Sequence, residues 1–380
     1  MSKELPEDVI IHILSYVPTR YILRFKSVSK SWYALFENPN FISKHFQNQS
    51  TTSDPSFLLT AAKSITSTST SDRTVGLVLY DSSYKSIKIP IEIDLPFQVC
   101  GSCNGLICLS WFPFPSNILL WNPATRVFKD LPDSPNEHSL MFGLGFGFDG
   151  VVKDYKVLRF AHRYNGPIQA EMYSLRTNSW REITTPAELQ RKTYRSTCSV
   201  FLNGKFHWTP ILFESVMLNR LIMCFDIHEE AFSYIMSPEF EFAPTFEERV
   251  EVCWKVVALK ESLSVIAWIK KGYGVMLFEV WLMKEYGVVS SWTKYTSFEL
   301  QINVSKVLGC GLKGEFLLEA DNKQLVVYDP ISERVNNLGN HGVAHLSKVF
   351  NHVGSLIPIN GGKVATRTNI SSVVPHAFFD

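Results

Sequence analysis

Two periods divide the chain. From Leu5 to Phe46 the apolar residues recur at the three-and-four spacing of helices; from Phe57 onward they come in short runs separated by turn residues. In the first stretch Ile10, Ile13, Leu14 and Val17 share one predicted helix face. Pro6 stands at the start of that helix, and Glu7 and Asp8 follow in the first turn, where acids suit the positive end of the dipole. Pro18 ends it, and Tyr21 to Phe25 reads as a short apolar turn. Ser27 is the expected N-cap of a further helix with Val28, Trp32, Leu35 and Phe36 on one face. Asn38-Pro39 opens another, with Phe41, Ile42, His45 and Phe46 at helical spacing. A unit of about 40 residues cannot hide this much apolar surface by itself. Leu5, Pro6, Ile10, Leu23, Phe25 and Trp32 are surplus to an internal core, so they face either a partner or the next domain.

Past the polar segment 47–56 the pattern becomes a repeat. An apolar strand, a tight Asp/Asn/Pro/Thr/Ser turn and a second strand recur around Tyr80, Trp121, Tyr173, Phe225, Val280 and Tyr328, at gaps of 41, 52, 52, 55 and 48 residues. A period near 50 made of short strands is the mark of a kelch-type β-propeller, in which units stack in a ring because no single unit buries both faces of its sheet. Further strands are expected at 105–109, 144–148, 155–160, 199–208, 256–268 and 316–319, with 349–359 closing the ring. The predicted fold class is α+β multidomain: a small all-α module at 1–48, a linker at 49–56, an all-β, β-propeller-like domain at 57–360 and a loose tail at 361–380.

Composition narrows the function classes. Hydrophobic residues make up 46% and charged residues 19% of the 380, a globular profile. The net charge of +1 favours neither nucleic acid nor an anionic membrane surface. No secretory leader or membrane span is expected, which places the chain in the cytoplasm, the nucleus or both, with its seven cysteines as thiols. Cys100, Cys103 and Cys108 lack the second pair that a structural zinc site needs. Gly143, Gly145 and Gly147 alternate, so they open one strand face to close approach rather than cradle a dinucleotide. His341, His345 and His352 have no acidic partner at ligand spacing. No catalytic residue, metal site or cofactor is predicted.

The N-terminal pattern Leu5-Pro6-x-Asp8-Val9, Ile13-Leu14, then Leu23-Arg24-Phe25-Lys26-x-Val28-x-Lys30-x-Trp32, resembles an F-box, the adaptor-binding module of cullin-based ubiquitin ligases. It departs from that pattern at Val17-Pro18, where Leu-Pro is usual, and at Ser29, where Cys is common. The runs Cys103-Asn104-Gly105-Leu106, Leu120-Trp121-Asn122-Pro123 and Gly145-Phe146-Gly147-Phe148-Asp149 resemble the F-box-associated domain of plant F-box proteins. Within that family the chain is similar to S-locus F-box proteins and to those of immunity and development; these residues do not separate the branches.

The resemblance implies the substrate-recognition subunit of an SCF ubiquitin ligase. Leu5, Pro6, Ile10, Leu14, Leu23, Phe25, Val28 and Trp32 would face a Skp-type adaptor, and through it cullin and a RING protein. A target protein would lie on the propeller. Its expected contacts come from the longer connections: Phe213, Met217 and Arg220 in 209–220, and Phe240, Phe242 and Glu247 in 237–249. Rival readings are a propeller enzyme and a non-degradative scaffold.

Overall fold

In the computed structural model the described residues are 5–52, 56–64, 73–80, 86–87, 97–111, 117–135, 140–162, 168–186, 200–209, 220–242, 252–271, 274–311, 313–338 and 345–364. Four helices open the chain: α1 (Glu7–Ser15), α2 (Thr19–Phe25), α3 (Lys30–Glu37) and α4 (Pro39–Thr52). The expected apolar turn at 21–25 is the helix α2, which starts directly after Pro18 and buries Ile22 completely. The N-cap of α3 is Ser29 and not Ser27: the Ser29 hydroxyl accepts from the Trp32 N–H at 3.2 Å. The departure from the family pattern at Ser29 therefore supplies a cap. Helix α4 runs through Thr52, into the segment expected to be a linker. Its Asn48, Gln49 and His45 side chains bond Ser15 Oγ and the Val17 carbonyl, satisfying groups freed where α1 ends.

Six antiparallel sheets follow among the described residues. Blade 1 holds β1 (Ser56–Ser64), β2 (Arg73–Tyr80) and β3 (Ser86–Ile87), and its innermost strand is β24 (His345–His352). Blade 2 runs outward through β4 (Phe97–Cys103), β5 (Leu106–Trp111), β6 (Ile118–Asn122) and β7 (Val127–Asp130), with β25 (Lys363–Val364) added outside β7. Blade 3 is β8 (Leu140–Asp149), β9 (Asp154–His162), β10 (Ile168–Ser174) and β11 (Ser179–Ile183). Blade 4 is β12 (Val200–Leu202), β13 (Lys205–Trp208), β14 (Leu221–Asp226) and β15 (Phe232–Met236). Blade 5 is β16 (Cys253–Leu259), β17 (Ser262–Lys270), β18 (Met276–Met283) and β19 (Trp292–Leu300). Blade 6 is β20 (Val304–Cys310), β21 (Phe316–Ala320), β22 (Leu325–Asp329) and β23 (Arg334–Asn337).

The innermost strands touch in the order β24, β4, β8, β12, β16, β20 and back to β24, so the ring is closed. Both ends of the chain make the closing blade. The expected strand at 349–359 is in part β24, but residues 353–359 leave the sheet. The tail is not loose at its start, because Lys363 and Val364 pair with Phe128 and Val127. The six repeat anchors all fall on the third strand of a blade, β2, β6, β10, β14, β18 and β22. Facing blades share cores: Leu158, Phe160 and Met172 of blade 3 pack with Phe206, Trp208 and Phe225 of blade 4. The alternating glycines admit this approach, since a Cβ on Gly145 would stand 2.8 Å from the Phe206 ring. The stretches 199–208 and 256–268 are hairpins rather than single strands. They turn at Asn203-Gly204 and at Lys260-Glu261, with all four residues at positive φ.

Candidate functional site

The helical module divides its apolar residues between two surfaces. Leu14, Ile22, Phe36, Phe41 and Ile42 are buried and form one cluster with Leu356 from the far end of the chain. Ile10, Leu23, Phe25 and Trp32 are half-buried against it, tied by edge-on ring contacts of Phe25 with Trp32 (5.6 Å) and of Trp32 with Phe36 (5.9 Å). Leu14 is therefore not an outward-facing residue. Its position on α1 points it at Leu356, because the surplus apolar face partly covers the segment that follows β24. Leu5, Pro6 and Val28 are exposed. The adaptor-facing residues expected from the sequence did not include Val9, Ile13 or Tyr16. Val9 (40%) and Ile13 (51%), one turn apart on α1, and Tyr16 (46%) at its C-cap form an exposed row, and Leu5 (57%), which precedes the N-cap Pro6, is exposed as well. Tyr33, also exposed, lies under the Lys26 ammonium, which pairs with Glu37 at 2.5 Å.

Strand parity places the longer connections. In each blade the first-to-second and third-to-fourth turns lie at one end of the ring; the second-to-third turns and the links between blades lie at the other. The helical module sits at the first end: Thr19 Oγ1 donates to the Gly354 carbonyl (2.9 Å), and Gly354 lies beside Ala124 in the β6–β7 turn. The strand ends joined by residues 209–220 and 237–252 lie at the second end. Phe213, Met217 and Glu247 fall outside the described residues. Arg220 is half-buried, donating to Glu239 Oε1 and to the Ser237 carbonyl, both at 3.2 Å. Phe240 is half-buried, packed on Trp254 and stacked by Phe242; beside it the Glu241 N–H is held by Glu279 Oε2 at 3.0 Å and the Glu241 carboxylate by Lys294 at 2.7 Å.

The axis of the ring holds a cavity of about 160 Å³ lined by all six innermost strands, among them Ser102, Phe146, Phe201, Gly309 and Phe350. Lys255, the charged residue in its wall, donates to the Val307 and Leu308 carbonyls at 2.9 and 2.8 Å. Other buried charges bind blades internally or to one another. Arg159 pairs with Glu171 at 3.0 Å; Lys156 bridges Asp149 at 2.8 Å and the Ile227 carbonyl of blade 4 at 3.0 Å. His207 lies fully buried with Nε2 2.7 Å from Tyr286 Oη, and burial pushes its pKa down to about 4. His352 is likewise buried and lowered to about 4, while His341 and the His345 side chain lie outside the described residues. Burial raises the Cys103 and Cys224 thiols to about 12, far from the range of a reactive thiolate. Among the described residues no group of three or more His, Cys, Asp or Glu could hold a metal ion.

The comparisons with known proteins match both parts of the chain. A family profile described as F-box domain matches residues 3–44, and one described as F-box associated beta propeller domain matches residues 78–356. The F-box protein CPR1 of Arabidopsis thaliana is 27% identical over 365 residues, covering 88% of this chain and 84% of that protein. The F-box/kelch-repeat protein At3g23880 of the same plant is 26% identical over 311 residues, covering 77% of this chain and 79% of that protein.

Proposed function

The chain belongs to the F-box proteins that carry an F-box-associated β-propeller domain, and from that premise we propose that it is the substrate-recognition subunit of an SCF, a cullin-RING ubiquitin ligase. In this role the F-box binds a Skp-type adaptor, and through it cullin and the RING protein, while the propeller binds a target protein. The mechanism is proximity: a target lysine held near a charged conjugating enzyme reacts as if at high concentration. The chain itself supplies no catalytic residue and needs no cofactor. Its partners place it in the cytoplasm or nucleus, and among the described residues no helix is long and apolar enough to cross a membrane. Degradation of the marked target and a pollen S-locus role are narrower forms of the same reading, told apart by the target's identity.

One observation carries this proposal. Helix α1 is anchored by Leu14 and leaves Val9 and Ile13 uncovered, with Tyr16 at its C-cap and Leu5 ahead of its N-cap also exposed, apolar surface that a partner helix would bury. The target surface we assign to the opposite end of the ring, where residues 209–220 and 237–249 join their strands. The test pairs adaptor binding with target capture. Proteins retained by the chain after proteasome inhibition are identified by mass, and each of the two connections is then exchanged for a Gly/Ser linker. Loss of target modification with the adaptor still bound supports the assignment; retained modification by both exchanged proteins moves the target site elsewhere. Failure of the intact chain to bind a Skp-type adaptor overturns the ligase role.

A further inference from the structure

The residues that follow β24 form a strap. It leaves the ring at His352, passes under the F-box and returns to the rim of blade 2. Three groups hold its first half. The Gly354 carbonyl accepts from Thr19 of α2; Leu356 is 3% exposed within the cluster of Leu14, Ile22 and Phe36; and Asn122 Nδ2 donates to the carbonyls of Ser355 (3.2 Å) and Ile357 (2.8 Å). Asn122 is itself fully buried, and its Oδ1 accepts from the Ala124 and Thr125 N–H groups of its own turn. Gly105 makes room for the strap, since a Cβ there would meet the Val353 carbonyl oxygen at 2.5 Å. The second half is held by Ile359, buried in the core between blades 2 and 3, by Lys129 Nζ on the Asn360 carbonyl (2.8 Å), and by β25 on β7. Two of the runs singled out in the sequence, Asn104-Gly105 and Trp121-Asn122-Pro123, thus converge on one backbone segment that also touches the F-box.

We propose that this strap fixes the F-box against blade 2, so that Thr19, Asn122 and Leu356 are positioning residues: they set the direction in which the propeller holds lysines relative to the adaptor and the enzymes beyond it. The functional half of this inference rests on the ligase reading above. The physical argument is one of rigidity. An apolar anchor, a hydrogen bond from α2 and two bonds from a buried amide act on the four residues 354–357, and the exposed row of α1 lies on the side of that helix away from Leu14. Adaptor binding therefore needs no release of the strap, and no freedom between the two domains has to be lost on assembly.

The strap is tested by locking and releasing it in the full chain. A Cβ on Gly354 would stand 3.7 Å from Thr19 Cβ. That lies inside the span of about 3.5–4.5 Å that a disulfide bridges, and Gly354 has no left-handed backbone to hinder a side chain. Thr19→Cys with Gly354→Cys gives the locked protein; Leu356→Glu with Thr19→Val gives the released one, and Leu356→Ile is the conservative control. Each is assembled with adaptor, cullin, RING protein and a charged conjugating enzyme, and the ubiquitinated lysines of the chain's own propeller are mapped by mass. Small-angle scattering of each chain alone reports the arrangement of the two domains. The locked protein and Leu356→Ile are expected to match the wild type in scattering and in the lysines modified. The released protein is expected to expand and, compared with the wild type at adaptor saturation, to spread modification over lysines the wild type spares, with a fall of about 5-fold or more at the favoured ones. A released chain as compact as the wild type, or a released chain with the wild-type lysine pattern, overturns the proposal. So does a locked chain that modifies a different set. A wild-type chain that takes up no ubiquitin in the assembled complex defeats the ligase reading instead, and the scattering comparison still decides the strap.

Discussion

Two neighbours on α1 carry opposite expectations. Ile13 is 51% exposed and Leu14 is 6% exposed within the Leu356 cluster. Burying an isoleucine completely contributes about 1.5–3 kcal/mol, so an adaptor that covers the remaining half of Ile13 gains about 1 kcal/mol from it. Ile13→Ala should then weaken adaptor binding about 5-fold. Ile13→Asp also places a carboxylate in an apolar contact, which costs at least ~2 kcal/mol more and brings the loss above about 100-fold. In the free chain that aspartate stays in water, so the unfolding free energy should change by no more than about 0.5 kcal/mol. Leu14→Ala should behave the other way, removing about 2–5 kcal/mol of stability from the helical module by opening a cavity beside Ile22 and Leu356. Calorimetric titration of a purified Skp-type adaptor gives the affinities, and native-state hydrogen exchange on α1 to α4 gives local stability. Unchanged affinity for Ile13→Asp would falsify the assignment of the α1 row. A Leu14→Ala protein with undiminished exchange protection would show that Leu14 is not a core residue.

Three further outcomes follow from buried groups. His207 takes up a proton near pH 4 when folded but near its ordinary 6.5 when unfolded, so stability is lost as pH falls through that window. The loss approaches about 3 kcal/mol at its limit; melts of His207→Gln should have a shallower slope between pH 6.5 and 4, and an unchanged slope would refute the buried neutral ring. Glu171→Ala leaves Arg159, 2% exposed, without its carboxylate. That should cost about 3–5 kcal/mol in denaturant unfolding, with much of it recovered by adding Arg159→Met. Gly145→Ala should cost about 1–3 kcal/mol by overpacking against Phe206, and Phe206→Leu should offset part of that in the double variant.

Much of the fold was legible because its signals are local. The recurrence of an apolar strand with its turn marks the third strand of every blade, and all six anchors from Tyr80 to Tyr328 fall there. Illegible were turns without their usual residues. Lys260 and Glu261 adopt positive φ without Gly or Asn, and the hairpin they make reads as one long strand. Asn203-Gly204 did carry the signal, and the turn could have been placed from it. For the site the difficulty was different. Helical spacing groups Ile10, Ile13 and Leu14 within one broad arc, but which edge of the arc faces inward depends on Leu356, more than 300 residues away. Phe240 shows the same dependence: its aromatic ring beside charged neighbours has the composition of an interface, and its half-burial against Trp254, in the next blade, is not written in the local pattern.

That distant leucine ties the small module to the large one. A helical unit of about 40 residues buries too little apolar surface to hold its core firmly alone. Here it borrows Leu356 and Ile357 from a segment whose position depends on β24 being paired in blade 1 and on Asn122 in blade 2. β24 in turn comes from the far end of the chain and supplies the innermost strand beside β1, which comes directly after the helices. The core beneath the adaptor surface is therefore complete only when the ring is closed. Loss of β24 would remove one strand from the sheet, the axis wall at Val349 and Phe350, and the floor under Leu14 and Ile22 together. Adaptor binding and target binding, which lie at opposite ends of the ring in this reading, share that single dependence on how the chain's two ends meet.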